Sequence, residues 1–163
     1  MARKTIPLVD SGAGAIPIWP VATASLKAWI AAQPAAVGAW LKRQEFKAKP
    51  GNFQVVPNAK GGIAGVVLGV SAAPKIWEFA LATSLPRGRY RLAPISASQL
   101  DARAQTQAAL GWALAAYRFS RYRKADPAAI AELQWPAKAD RKYVLRARRS
   151  FALVRDLDRK SVV

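Results

Sequence analysis

The sequence contains no cysteine and no histidine. Without thiols there is no disulfide, no thiol nucleophile and no thiolate zinc site. Without imidazole the commonest general base and the commonest metal ligand are both missing. Acidic residues are scarce as well, with nine spread from Asp10 to Asp158. A metal could be held only by several of these carboxylates meeting in space, and their spacing shows no such cluster. The chain is therefore a poor vehicle for hydrolytic or metal chemistry, and no cofactor is expected on it. Long apolar runs are absent too. The longest, Ile63 to Ala73, falls well short of the roughly 20 residues of a membrane span. After Met1-Ala-Arg-Lys the chain carries Pro7, Asp10, Gly12 and Gly14 where a secretory signal needs an unbroken apolar segment, so a cytoplasmic location without membrane attachment is expected.

What remains is a chain of 163 residues with 52% hydrophobic content, the size of one ordinary domain with a core of its own. Aromatics make up 9%, six of them Trp, and mean hydropathy is +0.02, which is too apolar for a disordered chain. The charge is lopsided: 26 Lys and Arg against 9 acids leave a net +17. Such a surface attracts phosphate backbones, anionic lipid or an acidic partner protein.

Residues 1–14 read as a flexible leader, rich in turn formers. Ile16 to Val21 is apolar, but Pro17 and Pro20 predict an edge strand or extended segment. Thr23 or Ser25 is placed to cap a helix with Leu26, Trp29 and Ile30 on one face, and Pro34 to open a second with Val37, Trp40 and Leu41. Phe53–Val56 reads as a strand stopped by Pro57, and Ile63–Val70 as a strand buried on both faces. Pro74 is expected to open a helix bearing Ile76, Phe79, Ala80 and Thr83, and Arg89–Leu92 alternates as a strand. The longest helix is expected from about Ser98 to Tyr122, with an apolar, small-residue middle that lets neighbouring backbones approach. Ala131, Leu133 and Trp135 alternate as a half-exposed strand. Asp140 caps a last helix to Leu157, with Tyr143, Ala147, Phe151 and Val154 expected inward. Strands alternating with helices predict an α/β sandwich with a mixed, largely parallel sheet.

Three patterns could carry chemistry. Gly69-Val-Ser71-Ala-Ala73 sits between strand and helix like a nucleophile elbow, but its last glycine is alanine and no histidine exists to serve as base. A Ser–Lys pair is the formal remainder, and a plain strand-to-helix turn is the simpler reading. Gly61-Gly62-Ile-Ala-Gly65 leads into a strand instead of opening a helix, so a turn is preferred over a dinucleotide loop. The basic residues form the third pattern. Arg118, Arg121, Arg123 and Lys124 interleave with Tyr117, Phe119 and Tyr122, which could stack on bases, while Arg141, Arg148 and Arg155 recur every seven residues along one helix face. These seven are the candidate anion or nucleic-acid contacts, set against a solvated helix face with snorkelling stems. Weak non-specific anion binding follows under both readings.

The second half carries a familiar wording: Leu85-Pro-Arg-Gly-Arg-Tyr-Arg-Leu92, Ala109-Leu-Gly-Trp-Ala-Leu-Ala-Ala-Tyr-Arg-Phe119 and Phe151-Ala-Leu-Val-Arg-Asp-Leu157. In this order and spacing they resemble the N-terminal domain of the leucyl (cytosol) aminopeptidase family, over about Ile16 to Leu157. The resemblance implies a three-layer, macro-domain-like α/β domain over residues 15–157, preceding a separate catalytic domain. That domain would hold two divalent ions, Zn or Mn, through carboxylates and a lysine, and would release N-terminal residues from peptides. It also implies the chain's own C-terminal catalytic domain as partner and a hexamer by analogy. The family's ligands lie after a Val-Arg-Asp-Leu-x-Asn-Thr-Pro wording, from which this sequence departs at Asp158-Arg-Lys-Ser-Val-Val163, so no catalytic or metal residue carries over. Those six residues can be encoded as GAT CGG AAG AGC GTC GTG, which resembles a sequencing adapter; residues 158–163 are expected to be a non-native tail on a truncated frame. The alternative is a free-standing basic α/β domain that binds nucleic acid.

Overall fold

The computed structural model describes residues 6–93, 100–116 and 130–158. Its most apolar strand, β4 (Ile63–Val70), lies inside a six-stranded sheet with β1 (Leu8–Val9), β2 (Ile16–Ala22), β3 (Phe53–Pro57), β5 (Arg89–Leu92) and β6 (Glu132–Gln134). The order is β1-β6-β5-β2-β4-β3, parallel throughout except for β3, which pairs antiparallel with β4 at one edge. Helices α1 (Leu26–Ala31) and α2 (Ala35–Arg43) cover one face and α3 (Ala102–Ala115) the other, with α4 (Arg141–Asp158) packed against α3. Period-two alternation divides β4 between the two cores: Val66, Leu68 and Val70 pack towards α3, Val67 towards α1 and α2. The expected three-layer α/β sandwich with a mixed, largely parallel sheet is the architecture observed.

Several local expectations need correction. β2 is central, between β5 and β4, in spite of its two prolines. Ile18 O accepts from Ala93 N at 2.9 Å, so even positions of β2 face β5. Pro20 therefore points to the β5 side beyond the last β2–β5 pair, Ile18 with Leu92, and Pro17 precedes the first β2–β4 pair, Ile18 with Val66. Each missing N–H falls where the ladder has no rung to lose. The leader contains a strand: Leu8 and Val9 pair with Leu133 and Gln134, and Leu8 is buried. Neither Thr23 nor Ser25 caps α1; the chain enters it through a 3₁₀ turn, Thr23–Ser25, and the Thr23 hydroxyl instead donates to Ala48 O at 2.8 Å.

Beyond Pro74 there is only a four-residue 3₁₀ turn, Ile76–Phe79, which docks its Ile76 carbonyl against Gly111 of α3. Any Cβ at Gly111 would collide with that oxygen, so the small residue is what permits the close approach. α3 starts at Ala102, later than expected, because Asp101 stands outside it and its carboxylate accepts from Ala104 N at 2.7 Å. The part of the expected helix over 117–122 lies outside the described residues.

α4 shows the largest difference. Asp140 caps it as expected, accepting from Tyr143 N at 2.9 Å. The helix packs mainly on α3 and not on the sheet, however, and Val144 is its fully buried residue. Tyr143, Phe151 and Val154, expected inward, are 49%, 49% and 63% exposed. Ala147, also expected inward, is half-buried against the core; the other three stay exposed because a helix resting on another helix buries less of its surface than one lying across a sheet.

Candidate functional site

The turn after β4 is the best-organised polar cluster. Glu78 is 1% exposed, and its carboxylate accepts from Ser71 N (2.8 Å), Ser71 Oγ (2.8 Å) and Lys75 N (3.0 Å). Three donors offset the desolvation of the buried carboxylate and bind the start of the loop to its end. The Ser71 hydroxyl is thus spent on holding the turn through Glu78, and a 3₁₀ turn follows in place of the helix that the strand-to-helix reading expects. Gly61 and Gly62 likewise close the β3–β4 hairpin, where Asn58 Oδ1 accepts from Lys60 N at 2.9 Å and Gly62 N at 2.8 Å. No helix follows them to cradle a phosphate.

Of the seven basic candidates, Arg118, Arg121, Arg123 and Lys124 lie outside the described residues. Arg141, Arg148 and Arg155 share one side of α4, as their spacing requires, but their surroundings differ. Arg141 pairs with Asp10 Oδ1 at 2.6 Å and stacks over the Trp135 ring at 5.0 Å. Arg148 is half-buried, and desolvation pushes its guanidinium pKa below the ordinary arginine value. Arg155 is exposed and borders a shallow cleft of about 490 Å³ walled by Ile76, Trp77, Ala80, Leu114 and Ala115.

The basic side chains that face outward together are Lys142, Arg146 and Arg149, which with Leu145 line an open depression on α4. Their i, i+4, i+7 spacing places them on a different side of the helix from Arg141, Arg148 and Arg155, of which Arg141 and Arg155 are exposed as well.

Among the described residues the carboxylates do not form a metal centre. Asp10 and Glu132 pair with Arg141 and Arg89, Glu78 is committed to the β4 turn, and Asp101 and Asp140 cap helices. These positions are scattered over the domain, and among the described residues no three potential ligands converge. The donor set therefore does not fit a two-metal site. Nor is any described helix long and apolar enough to cross a membrane.

Residues 16–136 match the family model described as the M17 aminopeptidase N-terminal domain. Among solved structures, the chain resembles cytosol aminopeptidase from Coxiella burnetii with 29% identity and a TM-score of 0.73, over 93% of this chain and 33% of that one. The bottromycin maturation enzyme BotP in complex with Mn shares the fold at 21% identity and a TM-score of 0.51, over 84% of this chain and 29% of that one. A mutant tomato leucine aminopeptidase does so at 13% identity and 0.50, over 87% and 34%. No curated protein matches the sequence. The chain spans about a third of the length of the solved relatives it matches.

Proposed function

The chain belongs to the M17 aminopeptidase family through its N-terminal domain, and from that premise we propose that it is the non-catalytic, regulatory or assembly part of a metal-dependent aminopeptidase that releases N-terminal amino acids from peptides. The observation that carries this reading is the pairing of coverages: 93% of this chain corresponds to 33% of a cytosol aminopeptidase. The chemistry would belong to a C-terminal catalytic domain, where paired divalent ions would supply Lewis-acid activation of the peptide carbonyl and of water. The scattered carboxylates of this chain leave that role to residues outside it. A cytosolic location is the accompanying proposal, supported by the cytosol aminopeptidase likeness, and self-association is proposed by analogy with the family. A free-standing nucleic-acid-binding domain is not favoured by any of these matches.

The test is to recover the native gene and assay both proteins on aminoacyl substrates with Mn²⁺ or Zn²⁺. The 163-residue chain is expected to show no turnover. The native gene is expected to continue past codon 157 for roughly 300 residues, two domains' worth on length, and its product to hydrolyse the substrates. Metal-dependent turnover that co-purifies with the short chain, or a genomic stop codon just after Val163, would overturn the reading.

A further inference from the structure

The 3₁₀ turn Ile76–Phe79 meets α3 where the Ile76 carbonyl lies against Gly111, and the end of α4 passes beside both. Between the three elements a cleft of about 490 Å³ is left open, within the roughly 300–1,000 Å³ usual for small-molecule sites. Its walls are Ile76, Trp77, Ala80, Leu114 and Ala115, with Arg155 at the rim and no carboxylate among the described lining residues. Trp77 is 56% exposed, yet its ring is not loose on the surface. It lies against Gly51, where φ is +80° and any Cβ would collide with the indole. A backbone conformation that favours glycine thus supports the ring from behind and holds it as a wall of the cleft. A tryptophan fixed beside an arginine is the combination that carries binding energy at recognition sites.

We propose that this cleft binds a free amino acid with a branched or aromatic apolar side chain. The inference rests on the functional reading above, since such molecules are among those the enzyme would release, and it adds a site for them on this chain. Each part of the ligand has its counterpart. The side chain is received by the apolar walls. The carboxylate is matched by Arg155, whose guanidinium carries several N–H donors in a rigid fork and so serves a ligand in addition to a neighbour within the chain. The ammonium is matched by the end of α3 at Ala115, the negative end of that helix dipole. A bare anion gains only the arginine, and a hydrocarbon gains only the walls. A cation and a helix C-terminus set around an apolar floor select a zwitterion.

The test is a titration of the 163-residue chain with L-leucine, followed through the indole N–H resonance of Trp77 in isotope-labelled protein and assigned with Trp77→Phe. A saturable shift is expected, with half-saturation in the millimolar range that a small, open site allows. L-phenylalanine should act likewise. Glycine, leucinamide and N-acetyl-leucine lack the side chain, the carboxylate and the ammonium respectively. Each should bind at least about five-fold more weakly, the loss of one contact of ordinary strength. Arg155→Gln should weaken leucine binding by a similar factor. Ala80→Phe, which fills the cleft from an exposed position, should abolish the shift. The remaining indole resonances, unmoved, show that both variants are folded. Absence of a saturable shift with leucine would overturn the proposal, as would equal binding of glycine or leucinamide, or an unchanged affinity in Arg155→Gln. N-acetyl-leucine binding as well as leucine would also overturn it, by identifying the C-terminus of a peptide as the ligand. The titration involves no turnover, so an inactive product of the native gene would overturn the functional reading and leave the titration to decide on the site.

Discussion

Helices α3 and α4 run side by side in the same direction: Thr106 Oγ1 accepts from Asp140 N at 2.9 Å near their starts, and Leu114 and Arg155 share a cleft near their ends. α3 buries Ala104, Ala108, Ala109, Leu110, Gly111, Trp112 and Ala113. α4 is four residues longer, at 18 against 14, yet among its described side chains only Val144 is fully buried. The difference lies in composition. From Ala108 onward α3 is apolar around its circumference and small enough to be enclosed by sheet, 3₁₀ turn and neighbouring helix at once. α4 carries six Arg and Lys between Arg141 and Arg155, and long cationic side chains cannot be enclosed without a large desolvation cost. One helix supplies the domain's core; the other supplies its surface.

The comparison breaks most forcefully at Trp112. Its ring is buried beside Tyr90 at 6.0 Å, and its indole N–H donates to Ala131 O at 2.9 Å. Trp112→Ala should cost about 3–5 kcal/mol through the cavity and the stranded carbonyl, read as a drop in urea midpoint. Next comes the turn that α3 supports. Glu78→Ala strands two part-buried backbone donors and should cost about 1–2 kcal/mol, and Ser71→Ala less than about 1 kcal/mol. Comparable losses from both would mean that the hydroxyl, not the backbone pair, holds the turn.

Tyr90 offers a pH-dependent test of the same core. Its hydroxyl donates to Pro86 O at 2.8 Å, and burial raises its pKa above the ordinary 10.0. A raised folded-state value means that the stabilisation is complete below pH 10 and is lost as pH rises through the folded value. Tyr90→Phe should cost about 1 kcal/mol at neutral pH and remove part of the alkaline loss; superimposable alkaline limbs would contradict the assignment.

The smallest effects belong to α4. Replacing Lys142, Arg146 and Arg149 with Gln should change stability by no more than about 0.5 kcal/mol. It should also flatten the salt dependence of weak, sequence-blind DNA binding by about 0.9 in slope for each phosphate contact removed. An unchanged slope in this variant and a flattened one in the Arg141, Arg148 and Arg155 variant would place the contact on the side facing α3.

How far the sequence could be read depends on how local the deciding interaction is. The buried run Ile63–Val70, the Asp140 cap, the Asn58–Gly62 turn and the fit of Gly111 under a neighbouring backbone are short-range matters of residue type and spacing, and all were legible. The seat of the Ser71 hydroxyl was not, since it depends on a carboxylate seven positions away folding back on a 3₁₀ turn. The basic surface was only half legible: spacing locates a stripe on a helix, but nothing in spacing says which stripe faces a neighbour.

By itself the sequence determined the α/β class, the absence of histidine and cysteine chemistry, the cationic surface and the family wording, because these reside in composition, periodicity and residue order. The tertiary structure alone decided that a strand with two prolines lies at the centre of the sheet, since that depends on where its neighbours end. It likewise decided that Tyr143, Phe151 and Val154 face outward, since α4 came to rest on α3. A hydrophobic pattern states that a face is to be covered; only the arrangement of the other elements determines whether this domain does the covering.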